Sequence, residues 1–334
     1  MAMTIPVIHS FHIAFPDIRI SVLTKGEYVP LFKLIGVQAI VAKTKDTHKG
    51  ISGLFKLFKE IRKEETAIDC VADLHNVLRS KVFRFLFMLS GTKTASLDKG
   101  RTGLKQLTRK TDKIIQPLAS RFERYQDVFA KLGFKFELNF SSVYASLPIL
   151  NNRILDYSGE KKERWIGVAP FAAFTPKIYP LNEMKLVIKH LSADPQNKIF
   201  FFGGGAAETA ILNEWEGEFR GSVNMSGKLD LADELQLMSH LTVMVAMDSA
   251  NMHFASLVNV PVISIWGATH PYSGFAGWAQ KEKNQVQIDL YCRPCSVFGN
   301  VPCYRGDHAC MNKLPASTIL QKVLDHLRQI NLNH

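Results

Sequence analysis

A largely apolar run, Leu241 to Met247, breaks off at Asp248-Ser249-Ala250-Asn251, and a second run, Pro261 to Trp266, closes on Gly267. Both have the length and β-branched content of buried strands. Between them, Asn251 to Val258 reads as a helix with Met252, Ala255 and Leu257 on its apolar face. Strand, helix and strand in so short a span make a parallel β-α-β unit, which needs cover on both sheet faces and receives ligands at the carboxyl ends of its strands. That edge holds Asp248, Ser249 and, one turn into the helix, His253, with Thr269, His270 and Tyr272 after the second strand. Helix capping by Asp248 or Ser249 is the plain alternative. More polar groups meet at this edge than a cap requires.

The same alternation recurs along most of the 334 residues. Strands are expected at Ile18 to Thr24, Gln38 to Ala42 and Ala67 to Leu74. Helices are expected at Met3 to Phe15, Tyr28 to Leu34, Ile51 to Lys63, Val77 to Leu89 and Phe122 to Leu132. The first helix reads as amphipathic, with Ile5, Ile8, Phe11 and Phe15 on one side. Turn formers and a charge run between Leu150 and Glu163 mark a boundary, giving units over residues 1–155 and 156–334. In the second, strands at Ile166 to Ala169, Lys198 to Phe202, Ser222 to Met225 and Gln285 to Leu290 alternate with helices, ending with Ser317 to Ile330. Two Rossmann-like α/β domains facing a central cleft are the economical fold.

Composition limits what such a cleft can serve. No uncharged apolar run reaches the length of a membrane-spanning helix, and the amino terminus lacks the pattern of a secretory signal, so a cytoplasmic protein is expected. A formal charge of +11 favours anionic partners. Nine basic residues lie between Asn76 and Lys110 (Arg79, Lys81, Arg84, Lys93, Lys99, Arg101, Lys105, Arg109, Lys110) against the single acid Asp98. A solvated helix face would account for them, as would a surface for a phosphorylated or carboxylated acceptor. With no zinc-finger or RRM signature, nucleic acid ranks below that acceptor.

Two further loops of the second half face the same way as Asp248. Pro170 to Lys177 follows a strand and offers the hydroxyl of Thr175 and the charge of Lys177, suited to a diphosphate. Phe202-Gly203-Gly204-Gly205 lies between strand and helix, where bare backbone N–H groups can approach a phosphate; a tight turn is an equal reading. Glu208 can accept from ribose hydroxyls or simply favour the helix dipole.

Taken in order, Ala169-Pro170-Phe171-Ala172, Lys177-Ile178-Tyr179-Pro180, Phe202-Gly203-Gly204-Gly205 with Glu208, Met247-Asp248-Ser249 with His253, and Trp266-Gly267-Ala268-Thr269-His270-Pro271 resemble glycosyltransferase family 9, the ADP-heptose lipopolysaccharide heptosyltransferases. Asp73-Leu74-His75 with Leu78-Arg79-Ser80 extends the likeness to the first half. Each motif is modest, but their order and spacing are specific and cover nearly the whole chain.

The resemblance implies a GT-B fold whose amino-terminal half binds an acidic, lipid-linked acceptor and whose carboxyl-terminal half binds ADP-heptose or a similar nucleotide sugar. Carried over by position, Lys177 and Thr175 meet the donor phosphates, Glu208 the nucleoside and Asp248 the heptose hydroxyls, with Ser249, Ala250 and His253 at the diphosphate. Gly204 adds its backbone, and Arg79 and Lys105 are the acceptor-side candidates. The implied reaction is inverting heptose transfer to the inner core of lipopolysaccharide, with no metal or other cofactor required, at the cytosolic face of the inner membrane. A nucleotide-sugar epimerase of the same fold and a non-catalytic sugar-nucleotide-binding protein remain alternatives.

Two departures from the family bear on this. Many members have Gly where Ala250 stands, giving closer backbone approach. Members also open with a strand and a Gly-Asp-Val turn, whereas here Met1 stands at the valine position. The first strand and the aspartate expected as general base would then lie before Met1, in a chain longer by about a dozen residues. Asp73 is the nearest substitute base and reads as structural. Finally, Cys292, Cys295, Cys303 and Cys310 form a C-x2-C-x7-C-x6-C array. Four thiols at this density can hold a structural zinc, although the later spacings are not those of a zinc ribbon, and a role in packing is the alternative.

Overall fold

The computed structural model describes residues 1–65 and 67–331. The chain divides into two compact units, one of Met1–Arg101 and Ala119–Val143, the other of Thr102–Leu118 and Tyr144–His334.

The first unit opens on α1 (Ile5–Ala14), followed by β1 (Ser21–Thr24), α2 (Val29–Leu34), β2 (Gln38–Val41), α3 (Gly50–Glu64), β3 (Cys70–Asp73), α4 (Leu78–Leu89) and β4 (Lys93–Ser96). Rather than amphipathic, α1 is buried almost all round along its first half, from Ile5 to Ile8. Its Phe11 stacks on Phe129 at 4.6 Å between centroids and meets Phe134 and Phe136 edge-on, and on other sides of the helix His9 meets Phe140 edge-on at 5.3 Å and Ser10 accepts from the Asn139 amide. The expected single sheet is instead two parallel pairs, β1 with β2 and β3 with β4. Their faces follow the period of two. Leu23, Ile40 and Val71 pack with Leu57 and Ile61 of α3 and Phe87 of α4. Cys70 and Ala72 turn the other way, towards Val128 and Leu132.

After α5 (Arg101–Thr108) comes α6 (Arg121–Leu132), which supplies Val128 and Leu132. Its start is a capping box, Ser120 with Glu123. The segment Thr102–Leu118, between the two, belongs to the second unit. There α5 buries Leu104 and Leu107, Lys113 donates to the Pro294 carbonyl at 2.7 Å, and the Leu118 amide donates to Tyr272. The chain thus divides near residue 143, short of the turn-rich stretch that marks 155 in sequence, where α7 (Asn152–Ser158) forms.

The second unit continues with β5 (Arg164–Ala169), α8 (Leu181–Ser192), β6 (Asn197–Phe201), α9 (Ala206–Glu218), β7 (Ser222–Asn224) and α10 (Leu231–Ser239). It is completed by β8 (Val243–Met247), α11 (Ala250–Leu257), β9 (Val262–Ile265), β10 (Gln285–Val286), α12 (Ala309–Asn312) and α13 (Ala316–Asn331). All six strands are parallel, in the order β10-β9-β8-β5-β6-β7, which is the doubly wound Rossmann order. Ile166, Val168, Val243, Val245, Ile263 and Ile265 share one fully buried core with Met184, Val187 and Ile188 of α8 and Ile319 and Val323 of α13. Winding proceeds outward in both directions from β5, so β5 and β8 are neighbours whose following loops separate to opposite sides and leave a crevice.

Tyr179 locks the loop after β5 to this core. Its ring is fully buried and its hydroxyl donates to the Leu314 carbonyl at 2.6 Å. Tyr179→Phe leaves that carbonyl without its partner and should cost about 1–3 kcal/mol, read as a lowered urea midpoint with unchanged slope.

Candidate active site

The crevice at β5 and β8 opens into a pocket of about 500 Å³, lined from β5 by Phe171, Ala172, Ala173 and Lys177 and from β8 by Asp248, Ser249, Ala250, Asn251 and His253. Lys177 ends a short 3-10 turn, Thr175–Lys177, and its Nζ donates to Oδ2 of Asp248 at 3.3 Å. Both side chains are largely buried. A single carboxylate satisfies one of the ammonium's three donors, so the pair forms a charged centre able to exchange partners when a stronger anion arrives.

Ser249 occupies the N-cap position of α11 without capping it: its hydroxyl accepts no bond from the helix and is buried with no protein partner. Nδ1 of His253, one turn on, is likewise buried without a partner. Burial pushes the His253 pKa down to about 3, with the Lys177 charge acting in the same direction, so the imidazole is neutral. Two orphaned polar atoms beside a helix N-terminus and a lysine make a seat for an anionic ligand that brings its own donors and acceptors. The capping alternative for Ser249 is thereby removed.

The glycine loop contributes differently from expectation. Gly205 has φ of 85°, a conformation open to glycine, and it leads the chain into α9. The Gly204 amide donates to Oε2 of Glu208 at 2.8 Å, so this N–H is already engaged and Glu208 closes its own loop. Both residues line the pocket. Thr175 is exposed and lies off the lining.

The remaining wall comes from residues that the sequence did not single out: Phe275, Val297 and Phe298. The rings of Phe275 and Phe298 meet at 5.6 Å. Next to them Gly299, at φ of 76°, lies against the aliphatic stem of Lys177, where a Cβ would overlap Cγ and Cδ. Val297, Phe298 and Gly299 are carried by the cysteine segment, whose hub is Arg293. Its buried guanidinium donates to the carbonyls of Trp266, Gly267, Thr269 and Ile288 and to Oε1 of Gln287. The amides of Cys295 and Ser296 both donate to the Ala268 carbonyl.

The cysteines themselves are all free thiols, Cys292 and Cys310 buried and Cys295 and Cys303 half-buried. Among the described residues no group of three or more His, Cys, Asp or Glu side chains is gathered to hold a metal. Burial pushes the Cys310 thiol up to about 11, while the Arg293 cation, which stands among Cys310, Cys292 and Cys295, acts on it in the opposite direction. The same guanidinium holds the segment by saturating the carbonyls that follow β9.

In the first unit Asp73 is buried with its acceptors committed. Oδ1 takes the amides of His75 and Asn76, at 3.0 and 2.7 Å, and Oδ2 takes the Ser80 hydroxyl at 3.0 Å. It shapes the turn into α4, consistent with a structural role. The basic stretch between Asn76 and Lys110 is divided: Arg79 is exposed on α4 of the first unit, whereas Lys105 lies on α5, with the second. Lys93 is drawn inward to the Leu132 carbonyl at 2.7 Å.

A doubly wound donor-type unit with a cation, orphaned hydroxyl and imidazole at its switch point, preceded by a second α/β unit, defines a GT-B glycosyltransferase. The chain belongs to glycosyltransferase family 9 (heptosyltransferase), whose profile matches residues 54–301. It is 24% identical over 301 residues to lipopolysaccharide heptosyltransferase 3 of Escherichia coli, covering 86% of this chain and 85% of that one. Its fold is similar to that of E. coli ADP-heptose LPS heptosyltransferase II, with a TM-score of 0.72 at 17% identity over 99% and 96% of the two chains. It is similar also to E. coli heptosyltransferase WaaC with ADP, with a TM-score of 0.67 at 16% identity over 97% and 95%.

Two outcomes follow from the geometry. Gly299→Ala should displace Lys177 and weaken binding of inorganic pyrophosphate, a diphosphate probe, about tenfold, measured by calorimetry, with the circular dichroism spectrum unchanged. Because His253 is held well below its unfolded value of 6.5, the unfolded chain binds its proton first. The stability associated with this neutral ring is present above pH 6.5 and is lost as pH falls towards 3. His253→Gln should therefore flatten the fall of the urea midpoint over that window.

Proposed function

We propose that the protein transfers heptose from ADP-heptose, with inversion and without a metal, to an acidic inner-core sugar of lipopolysaccharide at the cytosolic face of the inner membrane. The observation that carries the donor half of this reading is the pair of unpartnered polar atoms, Ser249 Oγ and His253 Nδ1, beside the Lys177–Asp248 ion pair. A diphosphate entering the pocket accepts from Ser249 and from the α11 N-terminus and draws Lys177 away from Asp248. The released carboxylate then accepts from sugar hydroxyls, which fixes the ring and its anomeric carbon. Phe275 and Phe298 supply the flat apolar surface that an adenine or sugar face requires.

In the reaction an acceptor oxygen attacks the anomeric carbon as the bond from that carbon to the ADP oxygen breaks, and the hydroxyl proton passes to a base. Lys177 and the helix-terminal amides stabilise the negative charge growing on the departing diphosphate, the role a metal would otherwise fill. Asp73 is unsuited to be the base because its lone pairs serve the α4 turn. The names of the relatives support adenosine diphosphate and heptose as the donor parts, and the basic side chains Arg79 and Lys105 support an anionic acceptor.

A panel of nucleotide sugars offered with heptose-deficient lipopolysaccharide tests the reading. ADP-heptose should be the donor consumed, with Lys177→Met lowering kcat/KM about 10²-fold. Preference for a uridine nucleotide, epimerised sugar without acceptor, or tight ADP-heptose binding with no transfer would each reject it.

A further inference from the structure

The helix α4 is apolar on two sides. Leu86 and Phe87 are buried, and Phe83 joins Phe87 at 5.2 Å in the cluster with α3. On the outer side, at spacings i, i+3, i+7, i+10 and i+11, stand Leu78, Lys81, Phe85, Met88 and Leu89. Four of these five are large apolar side chains open to solvent: Leu78 is 80% exposed, Phe85 50%, Met88 52% and Leu89 68%. Scattered exposed leucines need no explanation, but a stripe about 100° wide along three turns has the breadth of a core-facing surface.

On its inner side α4 packs on α3, where Phe58 meets Phe87 at 4.9 Å. Along α4 the charge has one sign: Arg79, Lys81 and Arg84 are its charged residues, with no acid among them. No helix among the described residues is long and apolar enough to cross a membrane.

We propose that the outer face of α4 is a docking surface for an anionic lipid bilayer. Leu78, Phe85, Met88 and Leu89 enter the boundary between headgroups and acyl chains, and Lys81 and Arg84 extend along the stripe to the lipid phosphates. A second copy of the chain fits less well. A two-fold contact through this stripe would set the cations of α4 against their own copies with no acid on that helix to pair them. An anionic bilayer satisfies the apolar stripe and the charge together. The inference rests on the membrane-borne acceptor of the proposed function for its purpose only, since lipid binding can be measured without sugar or transfer.

Sedimentation with vesicles of phosphatidylglycerol and phosphatidylethanolamine, free of lipopolysaccharide, tests it. The protein should partition onto them, partition weakly onto pure phosphatidylcholine, and keep a measurable bound fraction in about 0.5 M NaCl, where charge alone is screened. Replacing the stripe together, Leu78→Ser, Phe85→Ser, Met88→Ser and Leu89→Ser, leaves the net charge unchanged and should lower partitioning about tenfold. The circular dichroism spectrum and the urea midpoint should stay close to those of the unmodified protein and show that the variant is folded. Partitioning equal to the unmodified protein, complete loss of binding in salt, or a dimer that the four serines disperse would overturn the proposal. Failure of heptose transfer would leave it standing.

Discussion

Between β5 and β8 the winding of the second unit reverses, and most of the site depends on that reversal. Adjacent parallel strands whose following loops go opposite ways cannot fill the space above their carboxyl ends with backbone. Lys177, after one strand, and Asp248, after the other, meet in that space though 71 residues apart in sequence. A buried ammonium and carboxylate are costly to desolvate singly and are kept where each meets the other. The site is therefore already charged and ordered, and the proposed donor binding is an exchange of partners rather than the creation of a charged centre.

A second constraint lies behind the first. The carbonyls of Trp266, Gly267 and Thr269 emerge beyond β9, and the single guanidinium of Arg293 takes all three. That anchorage carries Val297, Phe298 and Gly299 back over Lys177 and sets the width of the pocket. The cysteine segment thus serves the site through Arg293, which stands between Cys292 and Cys295.

How far each feature was legible tracks the range of the forces behind it. The strands and helices of the second unit follow from local periodicity, and α8, with Met184, Val187, Ile188 and Leu191 buried, lies where its i, i+3, i+4, i+7 pattern puts it. The short α5 and α7 were missed because eight and seven residues carry too little period to stand out. The first helix has apolar residues on more sides than a stripe needs, and only its aromatic neighbours show that it is enclosed. Among the site residues, Lys177, Asp248, Ser249 and His253 were visible as polar groups breaking apolar strand ends. Phe275 and Phe298 carried no signal, since an aromatic in a loop looks alike whether it faces solvent or a pocket.

The sequence alone therefore determined the alternation of elements, the parallel character of the sheet and the identity of the polar residues at its carboxyl edge, because these are set by side-chain period and by composition within a few turns. Tertiary structure alone decided which of those residues share a pocket and which are spent elsewhere. Glu208 lines the pocket with one oxygen turned to its own loop, Asp73 is engaged by the turn into α4, Thr175 lies outside the lining, and Lys105 belongs to the second unit and Arg79 to the first. The physical reason is that hydrogen-bond donors and acceptors are used up by whichever partner folding brings nearest. What remains unpartnered, as Ser249 and His253 do, becomes visible only when every other partnership has been made.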